Sequence, residues 1–334
     1  MSVKIIIIST CTNNKNYKVP AGCSLDDLKR DTYKWAINSW FERIQNPAHF
    51  RCPVYKMYSG SHWKETLTCV DVAKDKGFSP ELWVMSAGCG LIPANHMIVP
   101  YSATFAQEEN SIHSLQWPKE FSARERSRLW WKEINLRRCV ELPSTFLELR
   151  RSFSNTENIF FLFILSKDYY LAVEPEIIEL VANGVNVSIV SCGLYSEVSR
   201  VNPLVRDHVL PVGEKFKQEN DYLNKDNTSL NARLAKWIIS NYSDALHLGY
   251  EALYKELKTK DLHLKKPKKT KPVTLSDEEI MDFIHKTYEP SKSTATALLT
   301  DLRHKENKSC EWRRFTRLFK LYADGYSKGG YANA

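Results

Sequence analysis

Four short apolar runs, each followed at once by polar residues, organise the first part of the chain. They are rich in β-branched and aromatic residues and are bounded by turn formers, which is typical of buried strands in a parallel sheet. The predicted strands cover residues 4–9, 82–86, 159–165 and 185–190.

Segments with helical spacing of apolar residues alternate with these strands. The predicted helices cover residues 24–44, 63–76, 122–138, 174–182, 230–241 and 244–257. In the fourth of them Pro175 stands near the first helical position, and the helix stops before Asn183-Gly184. The alternation predicts an α/β fold of three layers, a parallel sheet flanked by helices.

A different pattern follows residue 260. Residues 265–272 lack apolar side chains and contain two prolines, which indicates a linker. Beyond it, Ser276 and Glu279 match a capping box, and three helices are predicted, to about residue 288, over 291–304 and over 310–322. We therefore expect an α/β domain over 1–260, a basic linker over 261–273 and a small all-α domain over 274–334.

Polar loops follow all four predicted strands. Ligands of open α/β sheets bind beyond the carboxyl ends of the strands. The loops are residues 10–15, 87–93, 166–170 and 191–196. We expect them to meet at one edge of the sheet and to hold the active site.

Composition indicates a folded protein without a membrane segment. The chain of 334 residues is 43% apolar and 26% charged, and the apolar run at the N-terminus is too short for a signal peptide or a membrane span. Its eight cysteines form no CxxC pair, so we expect free thiols in the cytoplasm.

The positive charge is unevenly distributed. From Lys255 onward there are 18 Lys and Arg against 11 Asp and Glu, while residues 1–254 have 29 against 28. Clustered cations favour a polyanion, and a helical unit can place one helix in a DNA groove. A silent linker and a module that docks on a protein remain open. The predicted DNA contacts are Lys268, Lys269, Arg303, Arg313, Arg314 and Arg317 and, beside Trp130-Trp131, Arg126 and Arg128.

Two segments carry a family resemblance. Residues 81–93, ELWVMSAGCGLIP, and 100–105, PYSATF, resemble the SAxxGLIP turn and PYxATF segment of bacterial proteins of unassigned function. A related arrangement occurs in the glycosylase-like domain of archaeosine synthases, which is similar to the uracil-DNA glycosylase fold. The size and plan also resemble those of phage-defence DNA glycosylases that remove glucosylated hydroxymethylcytosine.

Two weaker parts of the resemblance are a C-x-x-x-K turn within residues 9–15 and the segment 228–234. Together with the stronger segments, the resemblance spans roughly residues 5–240. The chain lacks the GQDPYH and HPS loops of the better-known uracil glycosylases. The resemblance therefore implies base excision without identifying the catalytic carboxylate.

Excision requires a pocket that takes an extruded nucleotide, and groups that stabilise charge on the sugar and the departing base. We expect Asp168 to orient water or stabilise the cation, with Asn13, Asn14 and Lys15 as the rival set. The expected base pocket comprises Cys11, Ser86, Gly88, Cys89, Gly90, Tyr101, Phe105, Tyr169 and Tyr195. For each of these residues a turn or packing role is the alternative, as it is for His62, His96 and His113 as acids.

Cofactor chemistry is not indicated. Gly88 and Gly90 let backbone approach a ligand, but the third glycine and the acidic partner of a dinucleotide site are missing, as are a P-loop and zinc spacing. We expect no cofactor and no metal. The hypotheses are a DNA glycosylase acting on modified, double-stranded phage DNA, a deazaguanine base-exchange enzyme, and a non-catalytic DNA-binding protein.

Overall fold

The structure is a computed structural model that describes residues 3–106, 110–138, 141–154, 158–265, 273–290, 292–304, 306 and 308–327. The chain divides into two compact units, Met1–Lys266 and Pro267–Ala334. In the described residues no helix is both long enough and apolar enough to cross a membrane.

A five-stranded sheet in the order β4-β3-β1-β6-β7 forms the centre of the first unit. The strands of this unit are β1 (Lys4–Thr10), β2 (Cys52–Pro53), β3 (Ser79–Ser86), β4 (Gly90–Pro93), β5 (Met97–Ile98), β6 (Ile159–Ile164) and β7 (Asn186–Val190), where β2 and β5 pair separately. Strand β1 lies in the middle because Ile5 to Ile8 are apolar on both faces, and all four are fully buried.

The prediction of an α/β sheet flanked by helices is confirmed, but its purely parallel form is wrong. Strands β1, β3, β6 and β7 run parallel, whereas β4 is antiparallel to β3, with Ser86 opposite Gly90. The chain reverses there because Gly90 has a φ of 76°, which a residue without a Cβ adopts without strain. The sheet is therefore mixed and mostly parallel.

Eleven α-helices belong to the described part of this unit. They are α1 (Tyr33–Gln45), α2 (Val54–Met57), α3 (Ser61–Asp75), α4 (Ala123–Arg137), α5 (Phe146–Arg151), α6 (Lys167–Ala182), α7 (Cys192–Tyr195), α8 (Pro203–Arg206), α9 (Leu230–Asn241), α10 (Ser243–Leu248) and α11 (Tyr250–His263). Helix α3 packs on α9, and α4 packs on α6 and α1.

Three helix predictions need correction. Helix α6 begins at Lys167, so Pro175 lies inside it, where the buried residues of the helix hold it in place. The segment predicted over 24–44 is a short 3-10 turn followed by α1. Gly249, with a φ of 114°, separates α10 from α11, which continues to His263 and so passes the domain end predicted at residue 260.

The second unit contains α12 (Asp277–Thr287), α13 (Ala295–His304) and α14 (Trp312–Ser327). Ser276 and Glu279 form the predicted capping box at the start of α12. The unit has its own apolar core, which includes Ile280, Leu302 and Phe315. It is not purely helical, because β8 (Val273–Thr274) pairs with β9 (Lys308–Ser309).

Candidate functional site

A polar cleft of about 450 Å³ opens where β1 and β6 end. This is the edge of the sheet at which open α/β folds bind ligands. Two of the four predicted loops contribute to it, those that follow β1 and β6. The lining residues are Thr10, Cys11, Thr12, Asn13, Asn14, Ser59, Gly60, Ser61, His62, Thr104, Ser166, Tyr169, Thr228 and Asn231, none of them acidic.

Three long helices begin at this cleft. Gly60 precedes α3 and Ser166 precedes α6, while Asn231 lies in the first turn of α9. The side chains of the N-cap residues Ser166 and Ser229 accept no hydrogen bond from the first turns of their helices, and Gly60 has no side chain, while the Asp226 carboxylate accepts from the Ser229 amide. The first amide N–H groups of a helix have no partners within the helix, and its dipole is positive at that end. The cleft therefore favours an anion such as a phosphate.

His62 is a titratable side chain among the lining residues, and it contacts hydroxyl groups at the end of β1. Its Nε2 lies 3.2 Å from Ser9 Oγ and 3.5 Å from Thr10 Oγ1, and Ser9 Oγ lies 3.1 Å from Thr66 Oγ1. Burial lowers the pKa of His62 to about 4, so the imidazole is neutral at pH 7. When Ser9 donates to Nε2, the ring proton is on Nδ1, which makes no hydrogen bond within the described part of the chain.

The loop after β1 presents two amide side chains, Asn13 and Asn14, both exposed in the cleft. Thr12 Oγ1 fixes the loop by donating to the carbonyl oxygens of Asn14 (2.9 Å) and Ser59 (3.0 Å). The ammonium of Lys15 donates to the carbonyls of Thr12 and Asn13, at 3.2 and 3.3 Å. Asn13 and Asn14 thus line the cleft, whereas Lys15 holds the loop and does not line the cleft.

The Lys15 ammonium is largely buried beside an aromatic ring, so it is directed towards the loop backbone and not into the cleft. The ammonium lies 5.0 Å from the centre of the Tyr101 ring, within cation–π range. Burial is the main cause that lowers the pKa of Lys15 from its ordinary value.

Tyr169 and Cys11 form one wall of the cleft. Tyr169 Oη lies 2.9 Å from Cys11 Sγ, and burial raises the pKa of Tyr169 well above its ordinary value, so the phenol is neutral. The Phe105 ring packs edge to face against the Tyr169 ring, with ring centres 5.0 Å apart. Of these three predicted pocket residues, Cys11 and Tyr169 line the cleft and Phe105 packs behind it.

The turn after β3 is the main departure from the predicted site. A Cβ built on Gly88 would lie 2.5 Å from a ring carbon of Tyr101, so an aromatic ring fills the space where a ligand was expected. The Tyr101 hydroxyl lies 2.7 Å from Ser86 Oγ, which accepts from the Cys89 amide. Burial raises the pKa of Cys89 to about 12. Ser86, Gly88, Cys89, Gly90 and Tyr101 are core residues, and they do not line the cleft.

Other side chains seal the same turn. Trp40 and Trp130 donate their indole N–H to the carbonyls of Gly88 and Ala87, at 2.8 and 2.7 Å. Asn135 Oδ1 accepts from the Leu91 amide at 2.8 Å. Side chains of the protein itself therefore satisfy the Ala87 and Gly88 carbonyls and the Cys89 and Leu91 amides of the turn.

Two further predicted residues lie elsewhere. Tyr195 donates to Asp261 Oδ2 at 2.9 Å, and its loop has folded into α7. Asp168 is exposed in the first turn of α6 and does not line the cleft. The placement of Asp168 follows from the early start of α6, which turns the predicted loop into a helix.

Five of the six predicted DNA-contacting arginines make hydrogen bonds or ion pairs within the protein, but only Arg128, Arg314 and Arg317 pair with carboxylates. Arg128 pairs with the buried carboxylate of Glu174, at 2.5 Å. The other intramolecular partners are the Phe121 carbonyl for Arg126, the Cys310 carbonyl for Arg303, and Asp277 for Arg314 and Arg317. Arg313 is exposed, and Lys268 and Lys269 lie outside the described residues.

The positive charge after residue 254 lies mainly in the lysine-rich segment before the helical unit and not in the helices themselves. Residues 273–334 carry 10 Lys and Arg against 9 Asp and Glu, whereas residues 255–272 carry 8 against 2. The helical unit, which was predicted to be a basic domain that binds nucleic acid, is therefore nearly neutral in net charge. The excess of +7 after residue 254 comes almost entirely from the lysines between 255 and 271.

The sequence prediction did not assign residues 59–61, Thr228 or Asn231 to the site, and it gave His62 only as one of three candidate acids. Gly60-Ser61 could have been recognised as a helix start, because the predicted helix at Trp63 needs an N-cap just before it. Asn231 is fixed only by the tertiary structure: its Nδ2 donates to the Leu165 carbonyl (2.9 Å) and its Oδ1 accepts from the Cys192 amide (3.0 Å).

Within the described residues, no group of three His, Cys, Asp or Glu side chains could hold a metal ion. No protein-family model matches the chain, and no curated protein matches it either. The cleft is therefore the feature of the chain from which a function can be inferred.

Proposed function

We propose that the chain is a DNA glycosylase whose cleft takes one extruded nucleotide and cleaves its N-glycosidic bond. The observation that carries the proposal is the convergence of three helix N-termini, whose N-cap residues make no cap bond with their own side chains, and of the neutral His62 at the carboxyl edge of the sheet. Together they offer donors to a phosphate and to a departing base within one cleft. The resemblance to uracil-DNA-glycosylase-like domains supports the same reading of the fold.

The size and lining of the cleft suit a single nucleotide. Its volume of about 450 Å³ is in the range of small-ligand pockets. Threonine and serine hydroxyls and three asparagine amides can hydrogen-bond sugar and base edges without a charged partner. Tyr169 offers a ring against which an extruded base can stack.

The chemistry then follows from the neutral imidazole. As the bond from C1′ to the base nitrogen breaks, its electron pair leaves with the base, and Nδ1–H of His62 stabilises the developing negative charge. Water adds to C1′ and loses a proton. The products are the free base, which acquires a proton, and an abasic deoxyribose. Asn13 and Asn14 are placed to hydrogen-bond the base edge or the water.

The test is incubation of the protein with modified phage DNA and with unmodified DNA, followed by assays for alkali-labile sites and free base. We expect alkali-labile sites in one of the two DNAs, and we expect His62→Asn to lower the rate about 100-fold or more. His263→Asn, which changes an exposed histidine, is the matched control. Absence of base release from both DNAs would refute the glycosylase, and uptake of labelled deazaguanine would favour base exchange.

DNA affinity is assigned to the lysine-rich segment. Each neutralised phosphate contact lowers the slope of log K against log salt by about 0.9. Replacing the five lysines at 265, 266, 268, 269 and 271 with glutamine should therefore flatten the salt dependence strongly. The double variant Arg313→Gln, Lys320→Gln should flatten it less. If the double variant flattened the salt dependence more than the five-lysine variant, DNA binding would be assigned to α14 instead.

A further inference from the structure

An aromatic pair, Tyr17 and Phe50, lies at the surface next to the loop that follows β1. The centres of the two rings are 5.2 Å apart, and the rings are tilted by 47°. Tyr17 packs against the core of the first unit, so it restricts the position of the Phe50 ring, which is 58% exposed. Single exposed apolar residues are common in folded proteins, so the pair indicates a partner only together with its surroundings.

A short antiparallel pairing of two segments connects the aromatic pair to the cleft. The Ser59 amide donates to the Asn14 carbonyl at 3.0 Å, and the Asn16 amide donates to the Met57 carbonyl at 2.9 Å. Asn14 and Ser59 line the cleft, and Tyr17 comes three residues after Asn14. Three residues span at most about 11 Å. The aromatic pair is therefore close enough to the cleft for one DNA strand to contact both.

The two segments that carry the aromatic pair contain no acidic residue. Residues 3–25 and 43–64 together include seven Lys and Arg and no Asp or Glu. Lys18 and Lys56 are exposed and have no carboxylate partner among the described residues. The Lys56 carbonyl accepts a hydrogen bond from Asn16 Nδ2 at 2.8 Å, so Lys56 lies beside the loop that follows β1. The surface thus combines exposed aromatic area with positive charge, which complements the phosphates of a nucleic acid.

We propose that this surface binds single-stranded DNA, with a base next to the extruded nucleotide stacked on Phe50 and with phosphates near Lys18 and Lys56. An aromatic ring accepts any unpaired base, because every base has a π-face, and lysines contact the backbone without reading the sequence. A paired base is already stacked within its duplex. The surface therefore favours DNA that is single-stranded or opened beside the excised nucleotide. This assignment rests on the proposed function, since the strand is the one whose nucleotide enters the cleft.

The test measures binding of the full chain to a labelled, unmodified single-stranded oligonucleotide and to its duplex by fluorescence anisotropy. Phe50→Ala should weaken binding to the single strand about 10-fold and binding to the duplex less. Phe50→Trp should retain the affinity for the single strand. Phe50→Leu keeps an apolar side chain without a π-face, so it should bind as weakly as Phe50→Ala. Wild-type affinity of Phe50→Ala or of Phe50→Leu for the single strand would overturn the proposal.

Salt dependence separates the stacking from the charge. Phe50→Ala should leave the slope of log K against log salt unchanged, while Lys18→Gln and Lys56→Gln should each reduce its magnitude by about 0.7. Trp35→Ala is the matched control, because Trp35 is 51% exposed but residues 26–35 carry three Asp against three Lys and Arg. It should bind like the wild type. An equal loss of affinity for Trp35→Ala and Phe50→Ala would overturn the proposal.

Binding to unmodified DNA requires no excision, so the surface and the glycosylase can fail separately. Weaker binding by Phe50→Ala without base release from any DNA would support the surface and refute the glycosylase. Base release together with unchanged binding by Phe50→Ala would refute the surface and retain the glycosylase. Sedimentation without DNA tests a second copy of the chain as the occupant. A wild-type dimer that Phe50→Ala dissociates, with DNA affinity unchanged, would overturn the proposal.

Discussion

The loops after β1 and β3 begin at the same edge of the sheet, but one lines an open cleft and the other is closed by packed side chains. The loop after β1 is held open by Lys15 and Thr12, and its side chains face a polar cleft. The turn after β3 is closed, because Tyr101 fills the space beside Gly88 and Trp40 and Trp130 cap its carbonyls. The position of a loop in an α/β sheet indicates where a site can form, but the packing of large side chains decides which loops form it.

The closed turn gives the largest expected effect. Gly88→Ala places a methyl group 2.5 Å from the Tyr101 ring, in a buried site with no room to move. We expect it to lower the free energy of unfolding by about 4 kcal/mol, measured by urea denaturation. Gly193→Ala is the control, because its new Cβ would have only ordinary contact with Lys167. If both variants were equally stable, the turn would not be packed as described.

The buried His62 in the cleft makes the free energy of unfolding depend on pH. The pKa of His62 falls from 6.5 in the unfolded chain to about 4 in the folded protein. The unfolded state therefore binds more protons between these values, and the free energy of unfolding decreases as pH falls from about 6.5 towards 4. His62→Asn should remove up to roughly 3 kcal/mol of this decrease.

The comparison of wild type with His62→Asn matters because Glu176 acts in the opposite direction. Burial raises the pKa of Glu176 to about 7, which makes the protein less stable as pH rises from 4.5 to 7. Urea titrations of both proteins at pH 7, 5.5 and 4 isolate the histidine. Parallel curves would mean that His62 is solvated in the folded state. His263→Asn is again the control.

A smaller effect tests the hydrogen bonds of the closed turn. Tyr101→Phe leaves the hydroxyls of Tyr58 and Ser86 without their shared partner, 2.8 and 2.7 Å away in the native protein. We expect a loss of about 2 kcal/mol in thermal or urea unfolding. Tyr17→Phe, at a half-buried ring, should change stability little. A Tyr101→Phe protein as stable as wild type would show that these buried hydroxyls are satisfied in another way.

The smallest effect is expected at Asp168. Because this carboxylate is exposed and does not line the cleft, Asp168→Asn should reduce the rate of base release less than threefold, against the large loss expected for His62→Asn. A loss at Asp168→Asn as large as that at His62→Asn would restore the carboxylate to the mechanism. Steady-state kinetics on the same DNA compare the two variants.

Local sequence chemistry determined much of the architecture. The four parallel strands follow from apolar runs that need burial on both faces, and α9 begins and ends where it was predicted, at Leu230 and Asn241. Asn13 and Asn14 could be assigned to the site because they directly follow a central strand. The capping box at Ser276 and Glu279 fixed the start of α12 in the same way.

The tertiary structure alone decided how space and charge are shared among distant segments. Tyr101 closes one turn, while His62 and Asn231 reach the cleft from helices whose packing no local pattern encodes. Arg314 and Arg317 share the carboxylate of Asp277, some forty residues away, so one of their two positive charges is offset within the unit. Strand and helix periodicity depends on near neighbours, whereas the filling of a cavity and the pairing of a charge depend on contacts between parts of the chain that only the complete fold brings together.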